Sequence, residues 1–270
     1  MEHFQVDDAQ IEYEVRGEGE PVLLIPLSLI IDGLAHPLQP ELSSQYQLIH
    51  YHRRGWMGSS RGQAPLTIYR MAADAAALLH HLHVKRAHVV GHSIGGLVAL
   101  QLALDEPGLV QSLSLLEPPL RFGSGGKQNF EHVIVPMLNA YRAGDKRTAV
   151  EIFSRAVFGE NWQFHIERAI PGSIENAIKD MDTFIQEQPG IDAWKFGPSE
   201  ASSITQPVLS VIGTHSPPLA KMSRELLQSW FPQLELLDLD STHLLQIQDP
   251  KGMANGLAGF FSRHPLVDKF

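Results

Sequence analysis

Residues Gly91-His92-Ser93-Ile94-Gly95 restrict what this chain can fold into more than any other stretch. An apolar run, Ala87 to Val90, ends at Gly91, and an apolar helical pattern starts at Ile94, directly after the serine. A strand that passes into a helix through one residue leaves almost no room for side chains at the turn, and Gly91 and Gly95 supply that room. The apex residue, Ser93, is forced out at the strand end in a strained backbone conformation. The N–H of Ile94 then sits at a helix N-terminus, where the dipole favours negative charge in front of the serine hydroxyl.

The five-residue pattern alone also describes tight turns with a bystander serine. Its strand-before, helix-after context matches the G-x-S-x-G nucleophile elbow. A serine hydroxyl is a weak nucleophile near neutral pH, so it needs a base in hydrogen-bond reach and a third group orienting that base. The remaining chain is therefore read for a histidine and a carboxylate at strand ends.

Phe4 to Val6 and Ile11 to Val15 alternate around Asp7-Asp8 and predict an N-terminal hairpin. Val22 to Ile25 is a continuous apolar strand of the kind buried on both faces of a parallel sheet. Tyr46 to Tyr51 is the next strand, and Thr67 to Leu82 is an Ala-rich helix. His80, His81 and His83 near its end point to different sides and lack a carboxylate at ligand spacing, so a surface role is expected rather than a metal site. Leu109 to Leu116 is a strand stopped by Glu117-Pro118-Pro119, which leaves a carboxylate on the same sheet rim as Ser93.

From Arg121 to about Ser203 strand–helix alternation gives way to helix upon helix, introduced by the hinge-like Gly123-Ser124-Gly125-Gly126. Alternation resumes with strand Pro207 to Gly213, helix Leu219 to Phe231, strand Leu234 to Leu237 and helix Met253 to Phe261. His243 lies in the loop between the last strand and the last helix.

With these residues in place, nearly the whole chain resembles the α/β-hydrolase fold superfamily. The resemblance implies an α/β fold with a mostly parallel eight-stranded sheet flanked by helices and an inserted helical cap. Residues 1–120 and 204–270 would form the core and 121–203 the cap. It implies Ser93 as nucleophile, His243 as base, and the backbone N–H groups of Ile94 and Ser28 as the oxyanion hole. The sequence departs from the family pattern in three places. Pro26-Leu27-Ser28 replaces the usual His-Gly-x, one extra residue, Met57, enters the loop Arg54-Gly55-Trp56-Met57-Gly58-Ser59-Ser60, and Gly213-Thr214-His215-Ser216 lacks the usual aspartate. Arg54 and the loop glycines read as structural. Glu117, one strand earlier, is the expected acid, with Asp238 and Asp240 as rivals; this triad layout is similar to that of the zearalenone lactonases. Trp56, Met137 and Trp194 are expected to line the substrate pocket.

The expected activity is hydrolysis of a carboxylic ester or lactone of an apolar small molecule, with no metal and no cofactor. Two other readings use the same fold: a cofactor-free dioxygenase or carbon–carbon bond hydrolase, and a non-catalytic ligand receptor. Serine rather than aspartate at the elbow disfavours halide chemistry. A net charge of −9 and the lack of a basic run argue against nucleic-acid or membrane partners, while a homodimer remains open. Zero cysteines exclude disulfides and fit a reducing compartment. With no basic-then-apolar N-terminal segment and no apolar run long enough to span a bilayer, a cytoplasmic location is expected.

Overall fold

The computed structural model describes residues 1–120 and 130–266. The hinge-like Gly123–Gly126 stretch lies outside the described residues. Eight strands form one sheet: β1 (Glu2–Val6), β2 (Ala9–Arg16), β3 (Glu20–Ile25), β4 (Tyr46–Tyr51), β5 (Ala87–His92), β6 (Val110–Leu116), β7 (Val208–Gly213) and β8 (Glu235–Leu239). Their order is β1-β2-β4-β3-β5-β6-β7-β8. The hairpin β1–β2 joins β4 antiparallel, and every pairing from β4 through β8 is parallel.

The period-2 geometry of a strand explains how both faces are covered. Leu23, Ile25 and Val89 enter one core with α2 (Ile68–His81) and α3 (Ile94–Asp105). Val22, Leu24 and Val90 enter the other with α1 (Ala35–Leu42) and the C-terminal helix Pro250–Arg263. β5, central in the sheet, is buried at all six positions, His88 and His92 included.

Among the described residues between β6 and β7, besides the short helix Pro198–Ala201, stand α4 (Val135–Arg142), α5 (Lys146–Phe158), α6 (Trp162–Ala169), α7 (Ser173–Lys179) and α8 (Met181–Ala193). Their apolar stripes meet in a third cluster. Met137, Phe158, Met181 and Phe184 pack there with Leu27, Leu29, Trp56 and Leu244 from the loops at the sheet's C-terminal rim. α9 (Pro218–Trp230) and α10 (Pro250–Arg263) complete the layers.

One local outcome, at Asp238, differs from the sequence reading, and two others add to it: a helix at residues 35–42, and a stacking partner for His81, which is exposed at the end of α2 as expected. Pro37 and Pro40 do not prevent α1, in which Leu38 and Leu42 are buried; burial of its apolar face outweighs a locally unfavourable composition. β8 runs on to Leu239, so Asp238 pairs within the ladder opposite Ile212 rather than lying in the loop. His81 stacks on Phe4 at 5.0 Å and lies 3.3 Å from the Tyr13 hydroxyl, as part of the packing beneath the hairpin. Among the described residues no helix is long and apolar enough to cross a membrane.

The elbow is sterically closed. A Cβ on Gly95 would lie 2.2 Å from the Ile25 carbonyl oxygen, and one on Gly91 would lie 2.3 Å from that of Gly95. Both obstacles are backbone, which cannot rotate away. Gly95→Ala should therefore cost ~1–3 kcal/mol of overpacking strain, read as a lower midpoint in urea unfolding with an unchanged slope.

Candidate active site

Ser93 links β5 to α3 with φ 55° and ψ −123°, a conformation that is costly for a residue with a side chain. Its own N–H donates to the Leu116 carbonyl on the neighbouring strand at 2.8 Å, which fixes the apex. Ile94 is the first residue of α3, so its N–H is among the helix donors with no intrahelical partner.

Glu117 follows β6 with φ 47°. One carboxylate oxygen, Oε1, accepts the Gly213 N–H at 2.6 Å, and the other, Oε2, accepts a bond from His243 Nδ1. A carboxylate can only accept, so Nδ1 carries the ring proton and Nε2 of the neutral ring is left as a base. Ser93, His243, Glu117, Ile94 and Ser28 all line one cavity. No hydrogen bond joins the Ser93 hydroxyl to the imidazole here; such contacts are often loose before substrate binds and tighten afterwards.

The rival acids are engaged elsewhere. Asp238 pairs with Arg224, and Asp240 meets His215 Nε2 at 2.8 Å on the surface. Gly213, which opens the segment lacking the usual aspartate, instead spends its N–H on Glu117. His92, next to Ser93 in the chain, is fully buried with its ring 4.8 Å from that of His243. Burial, and then the neighbouring imidazole, hold His92 far below the ordinary histidine value, so it stays neutral.

The cavity's envelope, including its mouth and the solvent there, is about 800 Å³. Its walls are mostly apolar: Phe153, Val157 and Phe158 come from α5, Phe184 from α8, and Leu219 from α9. The Phe158 ring lies nearly parallel to the His243 ring at 5.9 Å. The three aromatic and thioether side chains expected in the pocket are not in this lining. Trp56 is fully buried with its indole turned to Glu187, and Met137 is fully buried in the third cluster. Trp194 stacks on Phe196 and donates its indole N–H to Gln101 at 2.8 Å. Bulk and apolarity at helical spacing forecast burial for all three, but not which side of the helix layer would receive them.

Residues 31–250 match the family model described as the alpha/beta hydrolase fold. The chain belongs to the α/β-hydrolase family. RutD of Azorhizobium caulinodans, whose name is that of a candidate carbamate hydrolase, is 38% identical over 109 residues, 40% of this chain and 41% of RutD. The chain thus spans about two-fifths of that relative's length. The enol-lactonase from Burkholderia xenovorans LB400 superposes with a TM-score of 0.78, at 21% identity, over 97% of this chain and 100% of that one. Est816, described as an N-acyl homoserine lactone degrading enzyme, has a TM-score of 0.72 at 25% identity, covering 96% and 100% of the two chains.

This α/β-hydrolase also holds a buried polar network that the sequence reading missed. Glu187, on α8, has no exposed surface. It is paired with Arg53, accepts the Trp56 indole N–H at 2.7 Å, and accepts the Ser28 hydroxyl at 2.8 Å. Arg53 in turn donates to Ser28 Oγ at 3.0 Å and to the Pro26 carbonyl at 3.2 Å. Arg54, read as structural, forks onto Asp74 at 2.6 and 2.9 Å and reaches Asp8 at 2.7 Å. The extra loop residue, Met57, donates its N–H to Asp180 at 3.0 Å, just ahead of α8. The sequence carries little signal for it, because Glu187 sits among other polar residues of α8 (Asp182, Thr183, Gln186, Gln188 and Asp192) and lies 134 residues from Arg53.

Truncating one partner of a dry ion pair leaves the other charge buried alone, which costs ~3–5 kcal/mol. Glu187→Ala and Arg53→Met should each lower the Tm by roughly 10 °C. The double variant Arg53→Met/Glu187→Met should lose much less than the sum of the two single losses. Additive losses in thermal unfolding would show that the two groups act separately.

Proposed function

We propose that this chain is a serine hydrolase that cleaves a carboxylic ester or lactone of an apolar substrate through Ser93, His243 and Glu117. The observation that carries the reading is the Glu117 carboxylate, held by the Gly213 N–H and bonded to Nδ1 of an imidazole that lines the same cavity as Ser93. That arrangement supports the base in the tautomer the chemistry needs.

In the first half-reaction His243 Nε2 takes the Ser93 hydroxyl proton as Oγ bonds to the acyl carbon. The carbonyl π electrons move onto oxygen, and the N–H groups of Ile94 and Ser28 receive the resulting oxyanion. The imidazolium, stabilised by Glu117, gives its proton to the departing alkoxide, and the carbon–oxygen bond breaks. For a lactone the leaving alcohol stays tethered to the acyl group. Water then repeats the sequence against the acyl-enzyme, with His243 as base and Ser93 as the leaving group, releasing the acid and restoring the hydroxyl.

The substrate class rests on the walls. Phe153, Val157, Phe158 and Phe184 line the same cavity as Ser93, and none of the described residues lining it is a lysine or an arginine that would hold a charged acyl group. In this reading the inserted helices act as a cap that gates entry to the cavity and limits bulk solvent around the bound acyl group, while deacylation uses a water admitted to the acyl carbon. The names of the enol-lactonase and of the lactone-degrading Est816, and that of RutD as a candidate carbamate hydrolase, support hydrolysis at an acyl-type carbonyl as the reaction type.

A panel of p-nitrophenyl esters and lactones tests the proposal. Turnover should fall ~10⁴-fold or more in Ser93→Ala and by up to ~10⁴-fold in Glu117→Ala. A fluorophosphonate should label wild type at Ser93. Full ester turnover in Glu117→Ala would sink the acid assignment, and oxygen uptake without phosphonate labelling would favour the dioxygenase reading.

A further inference from the structure

His50 in β4 and His52 just past its end are two positions apart, so both rings project to one face of the strand. Both are buried. Their Nε2 atoms converge on a single oxygen, Asp32 Oδ1, at 3.1 and 3.0 Å. The three donor atoms lie within 4.8 Å of one another. Asp32 belongs to the 3₁₀ turn Ile31–Gly33, on the loop that leaves β3 and carries Ser28. On the other side of His52, Nδ1 meets Glu12 Oε2 at 2.6 Å, and the same carboxylate oxygen accepts the Gly58 N–H at 3.1 Å. None of these residues lines the cavity containing Ser93.

We propose that Asp32, His50 and His52 form a zinc site outside the catalytic cavity, with Glu12 orienting His52 from behind. The proposal is independent of the esterase reading. Two imidazoles and a carboxylate are a common donor set for Zn²⁺. Bonds of ~2.0–2.1 Å in a tetrahedron separate ligand atoms by ~3.3 Å; the two nitrogen–oxygen separations lie within a few tenths of an ångström of that, and the two ring nitrogens, which lie within 4.8 Å of each other, would close toward it on binding. Asp32, whose side chain is 20% exposed, leaves a solvent path to the remaining position.

The two carboxylate contacts of the His52 ring can be met by a metal as well as by a proton. A neutral imidazole has one N–H, yet His52 has a carboxylate at each ring nitrogen. Without a metal, both contacts are met only by an extra proton. With zinc on Nε2, the neutral ring satisfies both sides, its Nδ1–H donating to Glu12 in the usual carboxylate–histidine–metal arrangement. Nδ1 of His50 has no partner in either state and does not distinguish them. A bound metal would tie the Ser28 loop to β4, so its effect is on the rigidity of that loop and not on the acyl chemistry.

Metal-free protein titrated with zinc chloride tests this by calorimetry and thermal unfolding. One equivalent should bind and raise the Tm by several degrees, reversed by EDTA. Asp32→Asn and His52→Gln should lose that equivalent, whereas Glu12→Gln should keep it with affinity weakened ~10–100-fold. Absence of stoichiometric binding, or binding that survives in His50→Gln and His52→Gln, would overturn the proposal in favour of adventitious contact with other histidines. Should the variants fail to fold, X-ray absorption on zinc-treated wild type decides: two imidazoles plus oxygen ligands support the site, and any other imidazole count refutes it.

Discussion

A carboxylate taken out of water must find donors for its oxygens, or it loses its charge. Glu117 meets that demand by drawing three chain segments together. Its own position comes from the parallel register of β6 and β7, in which Leu116 lies beside Val211. One oxygen is held by the N–H at the end of β7 and the other by the imidazole that follows β8. The His243 loop can come this close because Gly213 has no side chain: a Cβ there would lie 2.3 Å from the Ser241 carbonyl oxygen. The missing aspartate after β7, the glycine at its end and the glutamate after β6 thus belong to a single arrangement. Moving the acid one strand over requires the longer side chain, and the vacated strand end becomes part of its support.

Much of this was legible because it is local. The elbow announces itself through glycines whose spacing only one turn geometry explains, and β4 and α3 begin and end where their apolar patterns do. Glu117 was readable because two prolines stop its strand and leave it on the catalytic rim. What escaped is non-local. Nothing near Glu187 marks it as the partner of Arg53, since the contact exists only once the inserted helices have docked. The failed pocket residues teach the same lesson from the apolar side. Trp56 and Met137 are as buried as their chemistry demands, but burial in the layer between the inserted helices and the sheet rim is a different matter from facing the cavity.

The Arg53–Glu187 pair explains how an apolar layer can be held in one register. The third hydrophobic cluster joins α4 to α8 to the rim loops through side chains such as Leu27, Phe158 and Phe184. Contacts of that kind are non-directional and would tolerate sliding by a fraction of a turn. A dry carboxylate facing a guanidinium, an indole N–H and a hydroxyl does not, because displacing α8 would leave Arg53 with its charge uncompensated. The hydroxyl in that network belongs to Ser28, the same residue whose backbone N–H stands on the rim opposite Ile94. The network therefore sets the position of the cavity's apolar roof and of its polar floor with one group. Fixing both walls of the cavity from a single buried charge keeps the distance between them constant.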